Sequence, residues 1–168
     1  MNYCPQCKSQ LTISVIDKVE YQACSAADCH YVVWDNPVPV VAGVVIYREQ
    51  VVLAKNAQWP DKLFSIITGY LDKHELPEQA VIRELKEELG LHGEVESFIG
   101  HYMYKSKNQL LIAYSLRASG ELVLGNEIAE TELYTREQLC QWIKTSPLKL
   151  SVNIVKDFLT NSVKLKLR

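Results

Sequence analysis

A chain of 168 residues, 48% hydrophobic and 23% charged, suits a globular protein with one ordinary domain and a small accessory unit. Its net charge of −2 excludes a global basic field for nucleic acid, and no run of about 20 apolar residues offers a membrane span. The opening Met1-Asn2-Tyr3-Cys4 lacks a basic segment followed by an apolar one. No secretory signal is therefore expected, and a cytoplasmic location follows, where disulfides are disfavoured.

Four of the five cysteines fall in residues 1–36, as Cys4-x-x-Cys7 and Cys24-x-x-x-x-Cys29. Two close pairs separated by strand-forming sequence have the spacing of a four-cysteine zinc site. Residues 11–16 alternate in polarity and read as a strand, and 20–23 read as its return. Residues 1–36 are thus expected to be a zinc-ribbon hairpin unit, with Cys4, Cys7, Cys24 and Cys29 holding one structural Zn²⁺. His30 is the alternative to Cys29. Four thiolates leave no open position for a catalytic water, and the metal would supply stability that so short a segment lacks. Two disulfides or free thiols are the competing reading, disfavoured by a reducing compartment. Tyr3, Tyr21, Tyr31 and Trp34 could stack bases. Only Lys8 and Lys18 are basic here, so packing is expected of these aromatics and no nucleic-acid partner is expected.

Residues 35–39 form a turn-rich joint with two prolines, the best domain boundary in the chain. Val38 to Tyr47 is nearly all apolar and β-branched, which predicts a buried strand. A polar turn at 48–50 and a return strand at 51–55 complete a hairpin. Residues 56–62 are a loop, and 63–68 read as a strand feeding directly into Gly69. Trp59 and Phe64 are candidates to line a substrate pocket, with core packing as the plainer role.

Pro77, Glu78 and Gly90 bracket a helix: proline and acid in the first turn, glycine after the last periodic residue. At about 100° per residue, Val81, Ile82, Leu85 and Leu89 share a core-facing stripe. Glu84, Glu87 and Glu88 share an adjacent face at i,i+3 and i,i+4 spacing. Like charges so placed repel, and a divalent cation such as Mg²⁺ relieves the repulsion while accepting phosphate oxygens from a substrate. The bland alternative is a solvated acidic face paired with Arg83 and Lys86.

Residues 94–104 and 109–118 read as strands joined by a polar turn at 105–108, and 120–124 as a short extended piece. Thr135 with Gln138 three residues on starts a helix. Cys140, beside Trp142, reads as a buried small hydrophobe. Residues 151–161 place Val152, Val155, Phe158 and Leu159 at helical spacing, a final core helix. The basic end, Lys164 to Arg168, reads as a solvated tail or edge strand.

Gly69, five residues, Glu75, seven residues, then Arg83-Glu84-Leu85-x-Glu87-Glu88-x-Gly90-Leu91 resembles the Nudix box of the Nudix hydrolases. The resemblance implies an α+β Nudix fold, a mixed sheet sandwiched between helices, over residues 37–168. It implies metal-dependent hydrolysis of the diphosphate joining a nucleoside to another moiety, with a small-molecule nucleotide as partner. Glu84, Glu87 and Glu88 would hold Mg²⁺ or Mn²⁺, with the Thr68 carbonyl joining the metal shell. Arg83 would orient a glutamate, and Glu75 would steady the box loop or act on the metal indirectly, behind its direct ligands. Glu127, in the segment Glu127-Ile128-Ala129-Glu130, would complete the metal site or act as base, with Glu130 as second choice. NADH pyrophosphatases carry a similar ribbon ahead of the catalytic domain. Their Ser-Gln-Pro-Trp-Pro-Phe-Pro segment is missing here, where residues 104–110 contain neither proline nor tryptophan. That leaves ADP-ribose, nucleotide sugars, other dinucleotides and nucleoside triphosphates open. The rival reading is a nucleotide-sensing Nudix module whose ribbon contacts RNA, DNA or a protein. Many family members are dimers, so a homodimer stays open, although nothing in the sequence marks an interface.

Overall fold

The computed structural model describes residues 1–161; the basic end at 164–168 lies outside them. The chain divides into two compact units, Met1–Pro37 and the remainder from Val38.

In the first unit, β1 (Leu11–Ile16) and β2 (Val19–Cys24) pair antiparallel, from Leu11 opposite Cys24 to Ile16 opposite Val19. Asp17 and Lys18 make the two-residue turn with φ of 49° and 70°, the left-handed pair that matches strand twist in tight hairpins. β3 (Val32–Val33) pairs with the other side of β2. Tyr3 and Trp34 are exposed, and Trp34 meets Tyr21 edge-on at 5.2 Å rather than serving as a buried packing residue.

The second unit is built on β4 (Val38–Tyr47), buried over most of its length as its apolar run predicts. One side of β4 pairs in parallel with β8 (Gln109–Ser119) along its whole length. Its other side is shared. Residues 40–43 pair with β6 (Ile67–Tyr70), and residues 45–47 pair with β5 (Gln50–Asn56). β7 (His92–Tyr104) lies outside β8, and β9 (Ile128–Tyr134) lies outside β5, so the sheet order is β7-β8-β4-β5-β9 with β6 beside β4. Helix α1 (Pro77–Leu89) covers one face through Ala80, Val81, Leu85 and Leu89, packed with Val41, Val45 and Ile67. Helices α2 (Arg136–Thr145) and α3 (Lys149–Asn161) cover the other through Leu139, Trp142, Val155 and Phe158, packed with Val44 and Ile46. The result is the expected α+β arrangement, a mixed sheet between helices. No helix among the described residues is long and apolar enough to cross a membrane.

Local expectations are corrected at three places: residues 63–66, Ile82 and Cys140. Residues 63–66 are not a regular strand. Only Ser65 bridges to Ala54, because Phe64 and Ile66 are drawn into the α2–α3 core, and β6 starts at Ile67 and runs through Gly69. The extended piece at 120–124 joins neither sheet among the described residues; its Val123 N–H donates to the Leu89 carbonyl at the end of α1. Ile82 is 36% exposed, since the stripe narrows to Val81, Leu85 and Leu89. Cys140 is exposed, because Leu139 and Trp142 take the buried face of α2. The Thr135 cap stands as read: its hydroxyl accepts the Gln138 N–H at 3.3 Å, and the Gln138 side chain accepts the Thr135 N–H at 2.8 Å.

Candidate active site

A cavity of about 930 Å³ is walled by β6, by α1 and by the starts of β4 and β8. Val40 and Leu111 lie along its apolar part, and Glu84, Glu87, Glu88 and Glu127 along its acidic part. Trp59 and the turn leading into α3 also line it.

The helix registers the acidic wall. Leu85 and Leu89 are fully buried under the sheet, which turns the adjacent face, with Glu84 and Glu88, toward β6. A Cβ on Gly69 would collide with the Glu84 carboxyl group, so only glycine lets that side chain lie against the strand. The Thr68 backbone beside it favours the charged form of the Glu88 carboxyl.

Arg83 organises the rest. Its Nε donates to Glu75 Oε1 and its Nη2 to Glu75 Oε2, both at 3.0 Å. Nη1 donates to Glu84 at 2.8 Å and Glu87 at 2.9 Å, and Nη2 also reaches the Tyr70 carbonyl at 2.9 Å. Glu75 in turn accepts the Asp72 N–H at 3.1 Å, closing the loop that precedes α1. The Arg83 guanidinium and that N–H hold the Glu75 carboxyl below its ordinary range.

Among the described residues, no cation pairs with Glu88 as Arg83 does with Glu75. Burial, then the charges of Glu84, Glu127 and Glu87, push its carboxyl up to about 8. Burial also raises Glu84, against the pull of Arg83. A half-buried carboxylate cluster whose innermost member lacks a cation is the donor set a hard divalent ion fits.

Glu127 reaches this wall from a different element. It sits just before β9, its carbonyl accepts the Ala57 N–H at 2.8 Å, and its charge acts on both Glu84 and Glu88. Of the remaining candidates, Trp59 lines the cavity, whereas Phe64 is 5% exposed in the core behind it. Glu130 points elsewhere, paired with Lys55 at 3.6 Å. Sequence reasoning missed Tyr70, Gln109, Ser65 and Ser151, which also line the cavity. Gln109 donates to the Tyr70 hydroxyl at 2.8 Å, and the Ser65 and Ser151 hydroxyls share a hydrogen bond of 2.8 Å. No local pattern marks these residues, because strand pairing and helix docking bring them together from distant positions.

In the first unit, the Sγ atoms of Cys4, Cys7, Cys24 and Cys29 all lie within 4.8 Å of one another. Cys4–Cys29 is 3.7 Å and Cys7–Cys24 is 3.3 Å. Tetrahedral Zn–S bonds of about 2.3 Å place sulfurs about 3.8 Å apart, so the cluster fits such an ion. Cys29 rather than His30 is the fourth member of the cluster. The hydroxyl and N–H of Ser9 lower the Cys7 thiol to about 6, toward the thiolate a metal binds.

A NUDIX domain family model matches residues 37–153, and the chain belongs to the Nudix family. It is 30% identical over 115 residues to an ADP-ribose pyrophosphatase of Methanocaldococcus jannaschii, covering 65% of this chain and 68% of that protein. It is 28% identical over 94 residues to the NAD-capped RNA hydrolase NudC of Mycobacterium tuberculosis, covering 54% of this chain but only 30% of that protein's length. A NUDIX hydrolase crystal structure from Nitrosomonas europaea superposes with a TM-score of 0.78 at 19% identity, over 93% of this chain and 89% of that one. At that identity the likeness is one of fold.

Proposed function

We propose that the second unit is a metal-dependent pyrophosphohydrolase acting on a nucleoside diphosphate linked to another moiety, in the class of ADP-ribose and nucleotide sugars. The observation that carries this is Glu88, largely buried beside Glu84, Glu87 and Glu127 on the wall of a cavity large enough for a whole dinucleotide-sized ligand. Glu84, Glu87, Glu88 and Glu127 would hold Mg²⁺ or Mn²⁺, which when bound neutralises diphosphate charge and acidifies an attacking water. Arg83 sets the rotamers of Glu84 and Glu87, and Glu75 holds Arg83 in place. Glu127 or a box glutamate takes the proton of the water. Water adds to one phosphorus and the bridging oxygen leaves with the other, giving two phosphomonoesters.

The relatives' names point to ADP-ribose and to NAD-capped RNA. Residues 104–110 decide between them in this reading. They place Tyr104, Lys107 and Gln109 on the cavity and lack the proline- and tryptophan-rich segment of NADH pyrophosphatases. ADP-ribose is therefore the favoured substrate over NADH. In the first unit, Cys4, Cys7, Cys24 and Cys29 hold a structural Zn²⁺.

The test is product analysis with Mg²⁺ or Mn²⁺ across ADP-ribose, NADH, nucleotide sugars, dinucleoside polyphosphates and nucleoside triphosphates, with Glu88→Gln as control. AMP released from ADP-ribose, and lost in the control, supports the reading. Nucleotide binding without turnover on any substrate would replace it with a sensing module.

A further inference from the structure

The element that delivers Glu127 is not part of the box helix, yet its backbone is hydrogen-bonded to the end of that helix. From residue 122 the chain runs across the C-terminal end of α1. The Val123 N–H donates to the Leu89 carbonyl and the Gly125 N–H to the Glu88 carbonyl, both at 2.9 Å. These are carbonyls of the last turn, which have no partner within a helix. At Gly125 the approach is closest. A Cβ there would collide with the Glu87 carbonyl oxygen and lie 3.1 Å from its carbon and 3.4 Å from the Glu88 Cα. All three are main-chain atoms of a packed helix and cannot swing aside as a side chain would. The φ of Gly125 is not in the left-handed region, so the glycine answers a need for space rather than for a special backbone conformation.

Directly after this contact the chain turns. The Ile128 N–H donates to the Gly125 carbonyl at 3.1 Å, and the Glu127 carbonyl accepts the Ala57 N–H at 2.8 Å. Glu127 is thus pinned between a contact two residues before it and a strand that begins one residue after it. The helix side of that contact is the backbone of Glu87 and Glu88 themselves.

We infer that Gly125 is a positioning residue for the carboxylate cluster: its missing side chain lets the 122–125 strap seat on the backbone of Glu87 and Glu88 and sets the distance of Glu127 from them. The inference rests on the reading of Glu127 as a metal ligand proposed above. It adds that the fourth carboxylate is placed by main-chain contact with α1, not by its own side-chain partners.

The experiment is Mn²⁺ binding, followed by electron paramagnetic resonance, on the full chain as wild type, Glu127→Gln, Gly125→Ala and the double variant, alongside turnover. Gly125→Ala is expected to weaken Mn²⁺ binding at least tenfold and to lower kcat, with circular dichroism unchanged well below the melting temperature. Acting through Glu127, it should add nothing to Glu127→Gln, so the double variant binds Mn²⁺ as the single Glu127→Gln does. Wild-type Mn²⁺ affinity in Gly125→Ala, or additive losses in the double variant, would overturn the inference. Wild-type protein that binds no Mn²⁺ overturns the metal reading instead. Should Gly125→Ala fail to fold, a single glycine inserted between Gly125 and Asn126 keeps the strap seated but frees Glu127. That insertion is expected to match Glu127→Gln in Mn²⁺ affinity, and unchanged affinity would refute the positioning role.

Discussion

Arg83 and Glu75 share two parallel hydrogen bonds of 3.0 Å across the start of α1. Their side chains are only 26% and 14% exposed. This fork joins the loop after β6 to the helix that carries the acidic wall. Because Arg83 also bonds Glu84 and Glu87, loosening one end frees its guanidinium to compete for those carboxylates. Glu75→Gln keeps the volume but loses the charge-assisted pair. It should lower the melting temperature by a few degrees. The Mg²⁺ concentration giving half-maximal turnover should rise several-fold. Thermal melts and metal titrations check both.

Glu88→Gln tests the cluster directly. It removes one charge from a group crowded by Glu84, Glu127 and Glu87 without changing its size. Turnover should fall by orders of magnitude while the fold persists. An active Glu88→Gln protein would remove this residue from the metal site.

The same residue predicts a pH dependence of the metal-free protein. Its folded value, about 8, stands above the ordinary 4.5, so the folded state binds more protons than the unfolded one between those limits. The contribution of Glu88 is full below about 4.5 and is lost as pH rises through 8. The metal-free melting temperature should therefore decline over that window more steeply than that of Glu88→Gln. A saturating divalent cation at pH 8 should restore part of the loss. Parallel slopes in the two proteins would contradict it.

Gly69→Ala separates function from stability. The added methyl meets the flexible end of Glu84, not main chain, so Glu84 swings away at small cost in folding. Mn²⁺ affinity and kcat should drop together, with a melting temperature within a few degrees of wild type. Crystals or spectra showing Glu84 undisturbed would reject this account.

Zinc removal should act on the first unit. Chelation, or Cys24→Ser, is expected to take bound zinc from one equivalent to none and to collapse the β1–β2 amide signals in heteronuclear NMR spectra. The signals of α1 and β4, which rest on their own buried clusters, should persist. Zinc content by elemental analysis fixes the stoichiometry.

The sequence by itself determined the box helix, its caps, the three-glutamate face and the two cysteine knuckles. All of these depend on residues close in the chain, where helical spacing and turn geometry translate directly into position. It also carried the buried character of β4, because continuous β-branched residues suit a strand covered on both faces. Only the tertiary structure decided that β5 and β6 share one side of β4, that β6, α1 and the start of β8 wall one cavity, and that Phe64 faces the core while Trp59 faces the ligand space. The same holds for the strap at Gly125, which crosses the end of α1 rather than extending the sheet. Residues 63–66, read as strand, and 120–124, read as extended, share a local preference for extended backbone. Which backbone partner each would find depended on contacts formed at long range, and β propensity does not encode the partner.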